Sequence, residues 1–119
     1  TLEWIIKNKK TNWLGKKLAG LFLMRINHKI LTINFLDLKT NTKIDIVSQS
    51  KKKIIFTEVL ASYKNDIKAE ENITISDKKN IYKEIKNEFF PKFEHRIDRI
   101  YIRIKNGPPD INRIVNIDI

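Results

Sequence analysis

The hydrophobic period of this chain changes from two to nearly four and back to two, and that succession limits the folds open to it. Leu31, Ile33 and Phe35 alternate with Thr32 and Asn34, the two-residue repeat of a half-buried strand, which predicts a strand over about residues 29–36. Asp37 to Asn41 supplies turn residues, and Thr42 to Val47 predicts a second strand with Ile44 and Ile46 on one side and Lys43 and Asp45 on the other. Ser48 to Lys53 is a polar link into a third strand, Ile54 to Leu60. Short links between successive strands predict an antiparallel meander.

Residues 61–75 read as irregular, and the period then becomes helical. Ser76-Asp77 offers a cap, and Ile81, Ile85 and Phe89 follow at four-residue spacing with Tyr82 alongside, so a helix is expected over about residues 77–90. Pro91 has no amide hydrogen and clashes with the preceding turn, which ends it. Ile100, Ile102 and Ile104 then alternate with Tyr101, Arg103 and Lys105 up to the turn Asn106-Gly107-Pro108-Pro109. A helix between the third and fourth strands must return the chain across one sheet face, so the fourth strand is parallel to a neighbour. Asp110 is a cap candidate, and Ile111, Ile114 and Val115 at helical spacing predict a short C-terminal helix, with a strand through Ile117 and Ile119 as the alternative. The expected fold is α/β: a mixed sheet of three antiparallel strands, a crossover helix, a fourth parallel strand and the short C-terminal helix.

Ahead of this lies a basic helical N-terminal extension. Leu2, Ile5, Ile6, Trp13, Leu14, Leu18, Leu21 and Phe22 fall among lysines at loosely helical spacing, interrupted by Thr11-Asn12 and Gly15, which predicts one or two short amphipathic helices. The expected division is an extension over residues 1–28 and an α/β domain over 29–119. The formal charge is +10, and residues 1–29 contribute +6 of it, with Lys7, Lys9, Lys10, Lys16, Lys17, Arg25 and Lys29 against Glu3 alone. A surplus of this size points to an anionic partner, either nucleic acid or an acidic membrane surface. With 41% hydrophobic residues, 22 of them isoleucine, the chain carries enough apolar surface to fold.

Several classes are excluded or disfavoured. The chain has no cysteine, so disulfides, thiolate metal sites and cysteine nucleophiles are out. Leu18 to Met24 is the longest apolar run, about a third of the ~20 residues a spanning helix needs, so no transmembrane segment is expected. His28 and His95 lack further ligands at metal spacing and read as ordinary surface or boundary residues. The codon bias behind so many Lys, Ile and Asn residues, and a first residue Thr1, fit a processed protein of an organelle such as the mitochondrial matrix, with the cytoplasm as the alternative.

The segments Thr40-Asn41-Thr42, Leu60-Ala61-Ser62 and Ile102-Arg103-Ile104-Lys105-Asn106-Gly107-Pro108-Pro109 together resemble the small-subunit ribosomal protein eleven family. They match its Asn-Asn-Thr turn, its small-residue segment after strand three, and its basic strand with glycine-rich turn. The resemblance covers roughly residues 29–117 and implies a structural, non-enzymatic constituent of the ribosome. Its partners would be ribosomal RNA and neighbouring ribosomal proteins, with no cofactor and no small-molecule substrate. It assigns Lys105, Asn106, Gly107 and Arg113 to RNA, where a glycine lets backbone approach phosphates. The chain departs from the family in having one glycine and two prolines in that turn. A further departure is the acidic Tyr63–Thr74 segment, with Asp66, Glu70 and Glu71, in place of a Gly- and Lys-rich loop. A divergent organellar ribosome accounts for these departures, and a large-subunit protein of related fold is the second ribosomal reading.

The remaining candidates each have a bland counterpart. Lys51, Lys52 and Lys53 at a hairpin tip suit RNA phosphates, or else a solvated turn that discourages edge pairing. Lys9, Lys10, Lys16 and Lys17 suit RNA, a protein neighbour, an anionic membrane surface or plain solvent. With Asn41 and Arg103 these complete the expected RNA-binding set. Tyr82, Phe89, Phe90 and Phe93 read as core rather than a stacking platform. A ribonuclease-H-like nuclease is the enzymatic alternative, since such sheets carry metal-binding carboxylates near strand ends, and Asp37, Asp45, Glu58 and Asp98 are the acids available for it.

Overall fold

A computed structural model describes residues 2–63 and 75–117, with side chains described from Lys9 to Tyr63 and from Lys78 to Ile117. It contains helix α1 (Leu2–Arg25), strands β1 (Lys29–Asp37), β2 (Thr42–Ser50) and β3 (Lys53–Tyr63), helix α2 (Ile75–Phe89), and strands β4 (Glu94–Ile104) and β5 (Asp110–Ile114). The strands form one mixed sheet in the order β1-β2-β3-β4-β5. The expected parallel pair is β3 with β4, in register from Lys53 opposite Glu94 to Tyr63 opposite Ile104, and α2 is the crossover between them. The meander β1-β2-β3 is antiparallel as expected. Most of the segment expected to be irregular, including Asp66, Glu70 and Glu71, lies outside the described residues, as does Ile119.

Each face of the sheet carries its own core. On one, Ile44, Val47, Ile54, Phe56 and Ile97 pack with Tyr82 and Ile85 of α2. On the other, Ile46, Ile100 and Ile102 pack with Ala19 and Leu23 of α1, joined by Leu18, Phe22, Val59 and Ala61. The alternation along β3, Ile54 and Phe56 to one core and Val59 and Ala61 to the other, is that of a strand buried on both faces.

The last element departs from expectation: residues 110–114 form β5, antiparallel to β4, in place of the short C-terminal helix. Asp110 does not cap; its carboxylate takes the Lys105 ammonium at 3.0 Å across the turn. Ile114 and Val115, read as a helical stripe, are 42% and 44% exposed. The outer edge of β4 would otherwise present a row of unpaired amides and carbonyls, and pairing them outweighs a weak local helix signal. Asn116, at φ 61°, ends the strand, and the Ile117 amide donates to the Ile97 carbonyl at 2.8 Å.

Three further expectations change. α1 is one 24-residue helix rather than one or two short ones, because Gly15 is a contact point and not a break: a Cβ there would collide with the Ala61 methyl on β3. Ile44 and Ile46 do not share a side but belong to opposite cores. The flip occurs at Asp45, whose carboxylate accepts the Val59 amide at 2.8 Å just where the β2–β3 ladder ends at Ile46 opposite Thr57. β4 also starts at Glu94, four residues ahead of the expected start at Asp98. Its first half is hidden in the sequence by Arg96, Asp98 and Arg99, charges that are tolerated because they pair inside the fold.

Candidate nucleic-acid interface

The expected RNA-binding residues fall into separate groups. At one end of the sheet, Lys51 (φ 56°) and Lys52 form the two-residue link between β2 and β3, and Ser50 opposite Lys53 closes it. β1 begins at the same end, with Lys29 opposite Gln49, four residues after Arg25 closes α1. The link from α2 to β4, with Lys92, is tied here by the Glu94 amide donating to the Lys52 carbonyl at 3.3 Å. Arg25, Lys29, Lys51, Lys52, Lys53 and Lys92 are all exposed. Among the described residues none of these side chains has a carboxylate partner, and Glu94 is the acid nearest in register. Sequence reasoning found the three consecutive lysines but missed Arg25, Lys29 and Lys92. Only strand pairing brings them together; the one sequence signal was that Lys29 opens a strand.

The turn after β4 lies at the other end. Along the 11 residues of β4 the two ends are about 33 Å apart at 3.3 Å per residue. Gly107 has φ 106°, a conformation that favours glycine, and Asn106 and Gly107 are exposed. The cations around them are engaged: Lys105 with Asp110 at 3.0 Å, and Arg113 with Asp98 at 3.9 Å. Arg103 is half-buried, its Nε without a hydrogen-bond acceptor. Asn41, at φ 54°, belongs to the β1–β2 turn, again away from the lysine end.

On α1, Lys9, Lys10 and Lys17 are exposed, whereas Lys16 faces the sheet. Its ammonium donates to Asn34 Oδ1 at 2.7 Å and lies 3.5 Å from Asp45. Burial lowers its pKa, with Asp45 opposing. Lys16 is thus spent on the fold, where it bridges Asn34 of β1, at φ 57°, and Asp45 of β2.

The carboxylates considered for a nuclease do not converge. Glu58 lies on the α2 side, where the Tyr82 hydroxyl donates to it at 2.6 Å and Arg99 lies 3.5 Å away. Asp98 is fully buried on the opposite face, held by Arg96 through two bonds of 2.7 and 2.9 Å. Asp45 serves Lys16 and the Val59 amide, and Asp37 accepts from Thr40. Among the described residues no group of three or more His, Asp or Glu is placed to hold a metal ion. No helix among them is long and apolar enough to cross a membrane.

His28 is not a boundary residue but is buried, its Nδ1 lying 3.0 Å from Ser48 Oγ. Its pKa is lowered by burial and then by Arg113 and Arg96. His95 is half-buried, edge-on to Phe56. Tyr82 stacks on Phe56 at 5.3 Å in the core, and Phe90 and Phe93 pack beside it, while Phe89 is 51% exposed against Phe35. No family model and no curated protein matches this chain.

Proposed function

We propose that this chain is a structural RNA-binding protein of a small ribosomal subunit, of organellar type, that works by neutralising phosphates and catalyses no reaction. One observation carries the reading: six exposed cations, Arg25, Lys29, Lys51, Lys52, Lys53 and Lys92, gather at one end of the sheet with no carboxylate partner among the described residues. Like charges held this close repel one another, and a polyanion relieves that repulsion while releasing its own condensed counterions. The turn at Gly107 offers a second, weaker contact through exposed backbone. The assignment to a small subunit comes from the resemblance of the segments around Asn41, Ala61 and Gly107 to the protein eleven family.

Binding to duplex RNA, followed by fluorescence anisotropy across salt concentrations, tests the reading. At about −0.9 per phosphate on a duplex, six neutralised phosphates give a slope of log affinity against log salt of about −5, and the K51E/K52E/K53E variant brings it to about −3 or shallower. Affinity indifferent to salt, or a triple variant that binds as the parent does, overturns the proposal. Sedimentation of the tagged chain with small subunits from cells tests the ribosomal part, and its recovery only at the top of the gradient refutes it.

A further inference from the structure

Among the described residues the lysine end has no fully exposed aromatic ring, since Phe90 and Phe93 beside Lys92 pack against the core, so it is suited to hold a backbone rather than to grip a base. α1 differs. Lys10, Trp13, Lys17, Leu21 and Met24 recur at three- and four-residue spacing along its outer side, all exposed, with Trp13 at 63%. An indole is among the largest apolar groups a chain can bury, and leaving it in water is costly unless a partner covers it. The Lys17 ammonium lies 5.1 Å from the Trp13 ring centroid. At 1.5 Å rise per residue, Lys10 sits about 5 Å before the ring along the axis and Lys17 about 6 Å after it. Lys9 flanks the same turn, and no Asp or Glu occurs between Glu3 and Asp37.

We infer that Trp13 is a stacking platform for an unpaired RNA base, with Lys9, Lys10 and Lys17 holding the phosphates on either side of it. The inference rests on the RNA-binding reading above and adds a second site to it, for single-stranded rather than duplex RNA. The arrangement suits a strand better than a lipid surface. A helix lying in a membrane interface keeps its lysines at the borders of an apolar face, whereas here Lys17 stands inside the stripe between Trp13 and Leu21, and Lys10 precedes Trp13 on the same line. Cations alternating with a ring are instead the pattern that tracks a sugar–phosphate backbone while a base lies on the indole.

Fluorescence of the Trp4→Phe protein, whose only indole is Trp13, gives the test. An oligouridylate of about ten nucleotides should quench it, and Trp13→Ala should weaken that strand about 5- to 150-fold, the effect of one lost stack. Trp13→Phe, which keeps a ring, should retain most of the affinity, and an abasic strand of equal length should bind Trp13→Ala and parent alike. Equal weakening on the abasic strand overturns the inference. So does an unquenched Trp13 that shifts to the blue with phosphatidylcholine–phosphatidylglycerol vesicles. If Trp13 is silent while salt-dependent duplex binding persists, this inference alone falls; if duplex binding is also absent, the reading beneath it falls too.

Discussion

Replacing Asp98 by Asn should be among the most damaging single changes in this protein. The carboxylate is fully buried and accepts two bonds from Arg96, at 2.7 and 2.9 Å, and the Asn116 amide at 2.9 Å, with Arg113 at 3.9 Å. Asparagine fills the same space and can still accept from Asn116, but it turns an amide donor toward the Arg96 guanidinium. It also leaves Arg96, Arg113 and the edge of His28 without a counter-charge. Breaking a buried pair from one side costs about 3–5 kcal/mol, against a total of about 6–18 kcal/mol for a chain of this length. With a urea dependence of about 1.5 kcal/mol per molar, the unfolding midpoint should fall by about 2–3 M. Removing both charges in D98L/R96M should recover more than half of the loss, since the uncompensated guanidinium goes with its partner. A midpoint shift below about 0.5 M for D98N would mean that the pair contributes no more than a surface ion pair does, and the account of how β5 and the residues after it are held would be wrong.

Two other perturbations probe the remaining contacts. Gly15→Ala gains about 1 kcal/mol of helix propensity but drives a methyl into Ala61, an overpacking cost of about 1–3 kcal/mol. Urea unfolding should therefore show a less stable variant, and G15A/A61G should return the midpoint to at least that of the parent. His28, whose pKa is lowered in the fold, binds its proton more readily when unfolded. Its contribution is complete above the unfolded value of about 6.5 and is lost as pH falls below it, so stability measured from pH 7 to 5 should drop more steeply in the parent than in His28→Gln. Parallel curves would rule out His28 as the cause.

What could be read from the sequence was what depends on local pattern. Ile81, Ile85 and Phe89 announced α2, and Ile100, Ile102 and Ile104 announced β4, because in both the apolar spacing follows the geometry of the element. From those two elements the parallel pair follows. Features that depend on a distant partner were hidden. Nothing near Asp45 signals that its carboxylate will take the Val59 amide and switch Ile44 and Ile46 to opposite cores. Nothing in residues 110–115 reveals that the open edge of β4 will claim them as strand. Gly15 reads as a helix breaker until Ala61 is known to lie against it.

The charge pattern follows the same division, and it alters what the surplus of +10 means. Lys16, Lys78, Arg96, Arg99, Lys105 and Arg113 each lie within 4 Å of a carboxylate, so these cations serve the fold and offer little to a polyanion. Of the residues chosen from sequence for the β4 turn, Lys105 and Arg113 are among those spent. Among the described residues, cations without a carboxylate partner remain at the lysine end of the sheet, on the outer side of α1, at Lys43 and on α2 at Lys79, Lys83 and Lys86, and several of those at the lysine end look unremarkable in sequence because they come from different elements. A basic protein presents to its partner only the charge that its own acids have not taken. Here those acids draw the free charge away from the glycine turn and toward Lys29, Lys51, Lys52 and Lys53.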